Sequence, residues 1–411
     1  MAFVSENTLK ADIMARREAA LRKRLQKRKL ERGVYRWLWG RELPERYDDL
    51  DLNDIRRVLV LQRNQRIGDV VVAMAIIGGI REAVPHAHIA TMVPKALKGL
   101  VKVDQATDEV ILQTGDGMVS SLWKDIGIIR RQSLDLALVL GIQTASLQLA
   151  RYSGAKWQIG YSYNHRGDQL NRALAPHVSC NRSGWEYDSD GVPQIVDFWG
   201  ELCRRGGISM TPSGWERIKL PEVADPVREL FGHGQAGFKV GLHPFSGNPM
   251  RNWMPGRFAL LGKELQDRLG AHVVITGGFQ DADDALWLQK AIGGDCVSAA
   301  GKVSVVECWS ALRGLDLVIS VDTAMIHLAA AIGVPVISLF GPGDPAIWGP
   351  RGQLDRVIQK FPECQRCKGG RCVQQRVHCM EAITVDDVLK EVEKVRGEGV
   401  NSAKTVYQAA Q

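Results

Sequence analysis

The sequence predicts an α/β protein of two Rossmann-like lobes that face a cleft, preceded by a basic N-terminal helical extension. Strand-like runs of Val, Ile and Leu alternate with stretches long enough for helices, first from Arg57 and again after a Pro- and Gly-rich break between Leu220 and Gly237. This alternation is typical of βαβ units in a mostly parallel sheet. Because the runs are continuously apolar, we expect strands that are buried on both faces.

The N-terminal extension carries the net charge of the chain. The 411 residues include 53 Lys and Arg against 46 Asp and Glu, a formal charge of +7. Residues 1–36 contain eleven basic and four acidic side chains, so the whole excess lies there. The neutral remainder argues against nucleic-acid binding, which normally spreads Lys and Arg over a folded face. The extension is then either a membrane contact or a solvated or partner-binding helix.

The two lobes and their boundaries follow from the apolar runs. We predict strands at 58–62, 88–93, 110–113 and 134–140 in the first lobe, and at 238–243, 272–276, 317–321 and 334–340 in the second. Helices are predicted at 257–269 and 324–332. The expected divisions are an extension at 1–50, a first lobe at 51–220, a linker at 221–237, a second lobe at 238–398 and a tail at 399–411. The longest apolar run, 70–80, is too short to cross a bilayer, and no secretory signal is visible, so we expect a cytoplasmic protein.

Gly68 and Asp69 directly follow the first predicted strand. Open α/β sheets bind ligands at the carboxyl ends of their strands, and an ionised carboxylate there could accept a proton from an attacking hydroxyl. The same aspartate could instead cap the helix that follows. From the spacing alone, both roles remain open for Asp69.

In the second lobe, Asp322 and Thr323 fall at a predicted helix start, where free amides favour an anion. His327 lies one turn into that helix and is either a ligand or a packed core residue. Arg251, after an earlier strand, is either a diphosphate ligand or a solvated loop charge. The G-x-G-x-x-G match at 232–237 precedes a strand rather than opening a helix, which argues against a dinucleotide site, and the P-loop motif is absent.

Four cysteines crowd into 16 residues near the end of the second lobe. They are Cys364, Cys367, Cys372 and Cys379. Four convergent thiolates suit structural Zn or Fe. Reduced structural cysteines and a redox function are the alternatives.

Together these segments resemble glycosyltransferase family 9, the bacterial heptosyltransferases of lipopolysaccharide core assembly. The resemblance covers roughly 57–395 and is carried by RVLVLQRNQRIGDVVVAMAIIGGIREAVPHAHIATMV, VISVDTAMIHLAAAIGVPVISLFGPGDPAIWGP and ECQRCKGGRCVQQRVHCMEAITVDDVL. It implies a GT-B fold whose first lobe holds the acceptor and whose second holds a nucleotide-sugar donor. The implied reaction is inverting transfer of heptose from ADP-heptose to a lipopolysaccharide core sugar, without an organic cofactor. The implied membrane contact is the inner face of the inner membrane, through residues 1–36.

The resemblance also implies roles for single residues. Asp69 matches the general base, and Arg251 matches a basic residue that neutralises the departing ADP. The remaining donor-binding positions are Asp322, Thr323, Ala324 and His327 around the sugar and phosphates, and Gly277, Gly278 and Asp281 near the ribose.

Three positions depart from the family pattern. Ala324 replaces the usual glycine, Arg251 replaces the common lysine, and Gly343 stands where Thr or Ser is common. These departures leave the donor open. Because part of the family with the cysteine cluster glycosylates autotransporter proteins, Ser or Thr of a protein is an alternative acceptor. A GT-B nucleotide-sugar epimerase is the other alternative.

Overall fold

The structure is a computed structural model. It describes residues 50–63, 66–115, 119–141, 144–160, 194–212, 214–215, 217–353, 356–360 and 378–397. The predicted N-terminal extension, apart from residue 50, and the predicted tail lie outside the described residues. Among the described helices, none is both long enough and apolar enough to cross a membrane.

The first lobe is built on a parallel five-stranded sheet in the order β3-β2-β1-β4-β5. Its strands are β1 (Arg57–Leu61), β2 (His88–Val93), β3 (Glu109–Leu112), β4 (Leu136–Val139) and β5 (Trp157–Ile159). Val58 of β1 lies opposite Ile89 of β2 and Leu136 of β4. The central strand is buried on both faces, as its unbroken apolar sequence predicts.

Helices cover both faces of this sheet. They are α1 (Ile67–Ala83), α2 (Lys98–Lys102), α3 (Val119–Arg130), α4 (Thr144–Tyr152) and α5 (Ile195–Arg205). Helix α1 is buried without a break from Val70 to Ile80, because it lies between its own sheet and the second lobe. Helices α3 and α4 cover the opposite face, where Leu122 and Leu147 join the cluster of Leu59 and Leu61.

The second lobe has a parallel six-stranded sheet in the order β11-β10-β9-β6-β7-β8. Its strands are β6 (Lys239–His243), β7 (His272–Ile275), β8 (Cys296–Ser298), β9 (Leu317–Val321), β10 (Val336–Phe340) and β11 (Val357–Gln359). The helices are α6 (Asp225–Leu230), α7 (Pro255–Leu269), α8 (Ala282–Ile292), α9 (Val305–Ala311), α10 (Ala324–Ala331), α11 (Pro345–Trp348), α12 (His378–Ala382) and α13 (Val385–Gly397). Helix α6 lies within the segment predicted as a linker.

The lobes share one contiguous apolar cluster. Met325 and Ile326 of α10 belong to the same cluster as Val71 and Ile76 of α1. Trp215 also donates a hydrogen bond from Nε1 to the Val71 carbonyl, at 3.1 Å. Because α1 follows β1 and α10 follows β9, this packing joins the carboxyl ends of the two central strands.

The α/β prediction is confirmed, with three strands missed. The strands β5, β8 and β11 have three residues each, too few to show a periodicity in the sequence. The glycines at 232, 234 and 237 all have positive φ and precede β6. They form turns rather than a phosphate loop at a helix start.

Candidate active site

Asp69 lies in the first turn of α1, at the carboxyl end of β1. The buried side chain of Gln62 donates from Nε2 to the Asp69 carbonyl at 2.9 Å. That bond ties the first helical turn to the residue that follows the strand. The Asp69 side chain is partly exposed, so a ligand at the sheet edge can reach it.

A buried ion pair fixes the chain that precedes α1. Arg63 Nη1 lies 3.0 Å from Asp125 Oδ2 of α3, and both side chains are almost fully buried. Asp125 Oδ1 also accepts a hydrogen bond from the Thr114 amide at 2.8 Å. Breaking a buried pair of this kind costs about 3–5 kcal/mol, because one charge is left uncompensated. The sequence analysis did not identify this pair, whose members are far apart in the chain.

The second helix start follows β9 in the other lobe. Thr323 is the N-cap of α10, and its Oγ1 accepts from the Met325 amide at 3.2 Å. Ser320 Oγ lies 3.3 Å from the same hydroxyl. The first amides of α10 and the positive end of its dipole favour an anion at this place.

The two helix starts meet at Gly68. A Cβ built on Gly68 would lie 3.1 Å from His327 Cδ2 and 3.4 Å from Ala324 Cα. Only glycine lets α1 and α10 approach this closely without displacing a neighbour. The structure therefore brings Asp69, which follows Gly68, next to the helix start that carries Ala324 and His327.

Arg251 pairs with Asp322 at the start of α10. Its Nη1 lies 3.2 Å from Asp322 Oδ2 and donates to the Asp322 carbonyl at 3.4 Å. Burial raises the pKa of the Asp322 carboxyl, while Arg251 and then Arg66 of the first lobe lower it. Arg251 is about one third exposed, and its buried Nε makes no hydrogen bond within the described part of the chain. Arg66 of the first lobe and Arg251 of the second thus both lie near the N-terminus of α10.

His327 is buried between the lobes. It lines a small cleft with Val72 and Trp215 of the first lobe and with Ile347 and Arg351 of the second. Burial lowers the pKa of its imidazole to about 4. The ring is therefore neutral near pH 7, and it would contact a ligand through a neutral hydrogen bond rather than a charge.

His243 and Thr276 are polar residues of this sheet edge that the sequence analysis did not select as site residues. His243 ends β6, directly opposite Ser320 of β9. Its Nδ1 lies 2.9 Å from Thr276 Oγ1, and burial lowers the pKa of the ring to about 4. The sequence did contain a signal for these two residues, because each is a polar residue at the end of a predicted strand.

Asp281 lies one strand further along the same edge, after β7. It ends the short 3₁₀ helix Phe279–Asp281, and its Oδ2 accepts from the Gly278 amide at 2.8 Å. Gly277 is packed under Phe245, since a Cβ there would lie 2.9 Å from Phe245 Cδ2. Asp281 thus occupies the expected sheet edge, and the hydrogen bond from the Gly278 amide to its carboxylate orders the turn.

Only one of the four clustered cysteines falls on the described residues. Cys379, in α12, is buried in the core of the second lobe. Cys364, Cys367 and Cys372 lie outside the described residues. Within the described ranges, no group of three or more His, Cys, Asp or Glu side chains could hold a metal ion. The metal site stays a prediction.

Comparisons with known proteins show the family to which the chain belongs. A family model described as glycosyltransferase family 9 (heptosyltransferase) matches residues 120–378. Lipopolysaccharide heptosyltransferase 3 of Escherichia coli (strain K12) is 24% identical over 353 residues, covering 82% of this chain and 97% of that protein. A second Escherichia coli protein of that name is 28% identical over 239 residues, covering 56% of this chain and 66% of that protein.

Solved structures show the same fold. The ADP-heptose lipopolysaccharide heptosyltransferase II of E. coli has a TM-score of 0.64 at 19% identity, covering 82% of this chain and 98% of that one. A glycosyltransferase family 9 protein from Veillonella parvula has a TM-score of 0.65 at 20% identity, covering 85% and 99%. The family model matches more than half of the chain. The chain therefore belongs to glycosyltransferase family 9, and it is a glycosyltransferase with the GT-B fold.

Proposed function

We propose that this enzyme transfers heptose from ADP-heptose to a sugar hydroxyl of the lipopolysaccharide core, with inversion at the anomeric carbon. The observation that carries the proposal is the contact of the two helix starts at Gly68. It sets Gly68, the residue before the partly exposed Asp69, against the start of α10, whose free amides favour an anion. The names of the family 9 relatives support heptose as the sugar and lipopolysaccharide as the acceptor.

Asp69 acts as the general base. The acceptor hydroxyl oxygen attacks the anomeric carbon from the first lobe, and its proton passes to the Asp69 carboxylate. The bond from the anomeric carbon to the diphosphate breaks on the opposite face, and the departing ADP takes the bonding electrons. One carboxylate suffices for this direct displacement, because no covalent glycosyl-enzyme intermediate has to form.

Arg251 and the start of α10 stabilise the leaving diphosphate. Arg251 is already held by the buried Asp322, so little reorganisation is needed when negative charge develops. Arg66 adds a second cation from the acceptor lobe. Thr323, Ala324 and the neutral His327 complete the donor side, and Asp281 lies near the ribose.

The enzyme works at the cytoplasmic face of the inner membrane in this proposal, with residues 1–36 in contact with the lipid. Structural Zn or Fe is held by the cluster from Cys364 to Cys379. Both statements rest on the sequence, because residues 1–36 and the cluster apart from Cys379 lie outside the described residues.

The test is ADP release by the purified chain with ADP-heptose and a lipopolysaccharide core acceptor. We expect Asp69→Asn to lower kcat by roughly 10²–10⁴-fold, the usual contribution of a general base. Asp54→Asn is a matched control: the same change, at an exposed site before the amino end of β1, should leave kcat unchanged. Full turnover by Asp69→Asn would show that another group is the base.

Mass spectrometry of the donor and the acceptor in the same reaction mixtures separates the competing reactions. Conversion of the donor without an acceptor would indicate an epimerase. Transfer to Ser or Thr of an autotransporter, with none to the core sugar, would identify a protein acceptor instead.

A further inference from the structure

Trp123 is an exposed aromatic side chain on the outer side of the first lobe. It lies on α3, is 50% exposed, and its ring centroid is 6.3 Å from that of Tyr152 at the end of α4. The Arg151 guanidinium carbon lies 5.6 Å from the Tyr152 ring centroid, and Arg130 Nε donates to the Tyr152 carbonyl at 2.9 Å. The two helices thus present an aromatic pair with the exposed Arg130 beside it, whereas Arg151 is buried. We name it the α3–α4 face.

The exposed charges on the chain segment 119–160, which contains both aromatic residues, have one sign. Lys124, Arg130, Arg131 and Lys156 are all exposed. The sequence from 119 to 160 contains only two acids, Asp125 and Asp135, and both are engaged inside the lobe. Asp125 is buried against Arg63, and Asp135 Oδ2 accepts from the Arg56 and Arg57 amides at 2.8 Å. No exposed acid therefore offsets the four cations on this stretch.

The α3–α4 face points away from the catalytic cleft. Helices α3 and α4 cover the sheet face opposite to α1, which packs against the second lobe. Helix α3 follows β3, so its amino end lies at the sheet edge where Asp69 lies. A partner on this face would leave the cleft open to a donor while lying beside the acceptor lobe.

We propose that the α3–α4 face is a docking surface for an anionic lipid bilayer. Trp and Tyr favour the membrane interface, because an apolar ring enters the acyl boundary while its polar atom stays in water. Each Lys or Arg near a surface of anionic lipids raises the membrane affinity about fivefold. Proteins that bind single-stranded nucleic acid align their aromatics along a basic groove, whereas this pair lies on the outer side of two helices. The choice of a bilayer rests on the proposed function in one respect: the proposed acceptor, the lipopolysaccharide core, is carried on a membrane.

The test is co-sedimentation of the full chain with phosphatidylglycerol–phosphatidylethanolamine vesicles and with phosphatidylcholine vesicles, without substrates. We expect binding to the anionic vesicles and little to the neutral ones. Lys124→Gln/Arg131→Gln should lower the partition coefficient on the order of 25-fold, about fivefold for each charge removed. Trp123→Ala should lower it as well.

Trp287→Ala is the matched control. Trp287 is 52% exposed, but its helix, α8, has Asp283 and Asp284 in the first turn. The control should sediment like the wild-type chain. Equal sedimentation of Trp123→Ala, the double variant and Trp287→Ala would overturn the proposal, and so would equal binding to neutral vesicles. If Trp123→Ala and the double variant lost binding to a single-stranded oligonucleotide to the same extent as binding to vesicles, the face would bind nucleic acid. That result would also overturn the proposal.

ADP release with a detergent-free soluble core acceptor separates this proposal from the proposed function. We expect the α3–α4 variants to keep wild-type turnover in that assay while losing vesicle binding. If the wild-type chain binds vesicles through this face but transfers no heptose, the docking surface stands and the assigned reaction fails.

Discussion

Gly343 is a position where one added methyl group should disturb the donor side of the site. It lies in the loop after β10, and a Cβ built there would overlap Asp322 Oδ2. Gly343 does not have a positive φ, so alanine adds no backbone strain. The substitution Gly343→Ala therefore isolates the steric conflict with one carboxylate.

The cost follows from how firmly Asp322 is held. Asp322 is 3% exposed, and its Oδ2 lies 3.2 Å from Arg251, so the carboxylate cannot move away without lengthening the pair. Overpacking costs about 1–3 kcal/mol, and the partial exposure of Arg251 limits the loss from the ion pair. We expect a loss of about 2 kcal/mol, which lowers the thermal midpoint of a lobe of this size by roughly 4–8 °C.

Thermal unfolding in a double-mutant cycle measures this effect. In the Asp322→Ala background the obstructing carboxylate is gone, so we expect Gly343→Ala to cost less than about 0.5 kcal/mol there. Gly256→Ala is the control, because nothing lies within 4 Å of a Cβ at Gly256. An equal cost of Gly343→Ala in both backgrounds would refute the steric reasoning.

Three further predictions concern charge and burial. Arg251→Gln should raise the donor KM at least tenfold in initial-rate kinetics, since it removes the proposed diphosphate ligand; an unchanged KM would contradict that role. Burial raises the pKa of Asp104 to about 6, above its unfolded value, so the free energy of unfolding should fall by about 3 kcal/mol as the pH rises from about 3 to 7. Asp104→Asn should reduce this pH dependence of the free energy of unfolding, measured by urea titrations at each pH. A pH dependence like that of the wild-type chain would exclude Asp104 as its origin. Burial raises the thiol pKa values of Cys203 and Cys308 to about 12, so peptide mass spectrometry should find both unalkylated by iodoacetamide at pH 8 until the chain unfolds.

The long apolar strands could be read from the sequence, and the short edge strands could not. The predicted strands 88–93 and 317–321 coincide with β2 and β9, because short, largely apolar runs between turn signals favour strands that are covered on both faces. Strands such as β8 and β11 have three residues and mixed composition. Their pairing depends on a neighbouring strand, which local sequence does not encode.

Within the site, the sequence placed Asp69 and Asp322 at the carboxyl end of one strand each, and the structure agrees. It left Arg251 undecided between ligand and solvated charge. The structure places Arg251 against Asp322, an arrangement that depends on two loops meeting. The lowered pKa of His327, about 4, likewise follows from burial between the lobes, since an isolated imidazole would titrate near pH 6.5.

The sequence by itself determined the two parallel sheets, the helix starts at their carboxyl ends and the family resemblance, because apolar runs, turn residues and caps act over a few neighbouring residues. Only the tertiary structure decided which helix starts meet. The approach of α1 to α10 at Gly68, the Arg251–Asp322 pair and the α3–α4 face each join residues distant in the chain. Close packing, desolvation and charge pairing act through space, so they arise only when each lobe has folded and, for the contact at Gly68, when the two lobes have packed against each other.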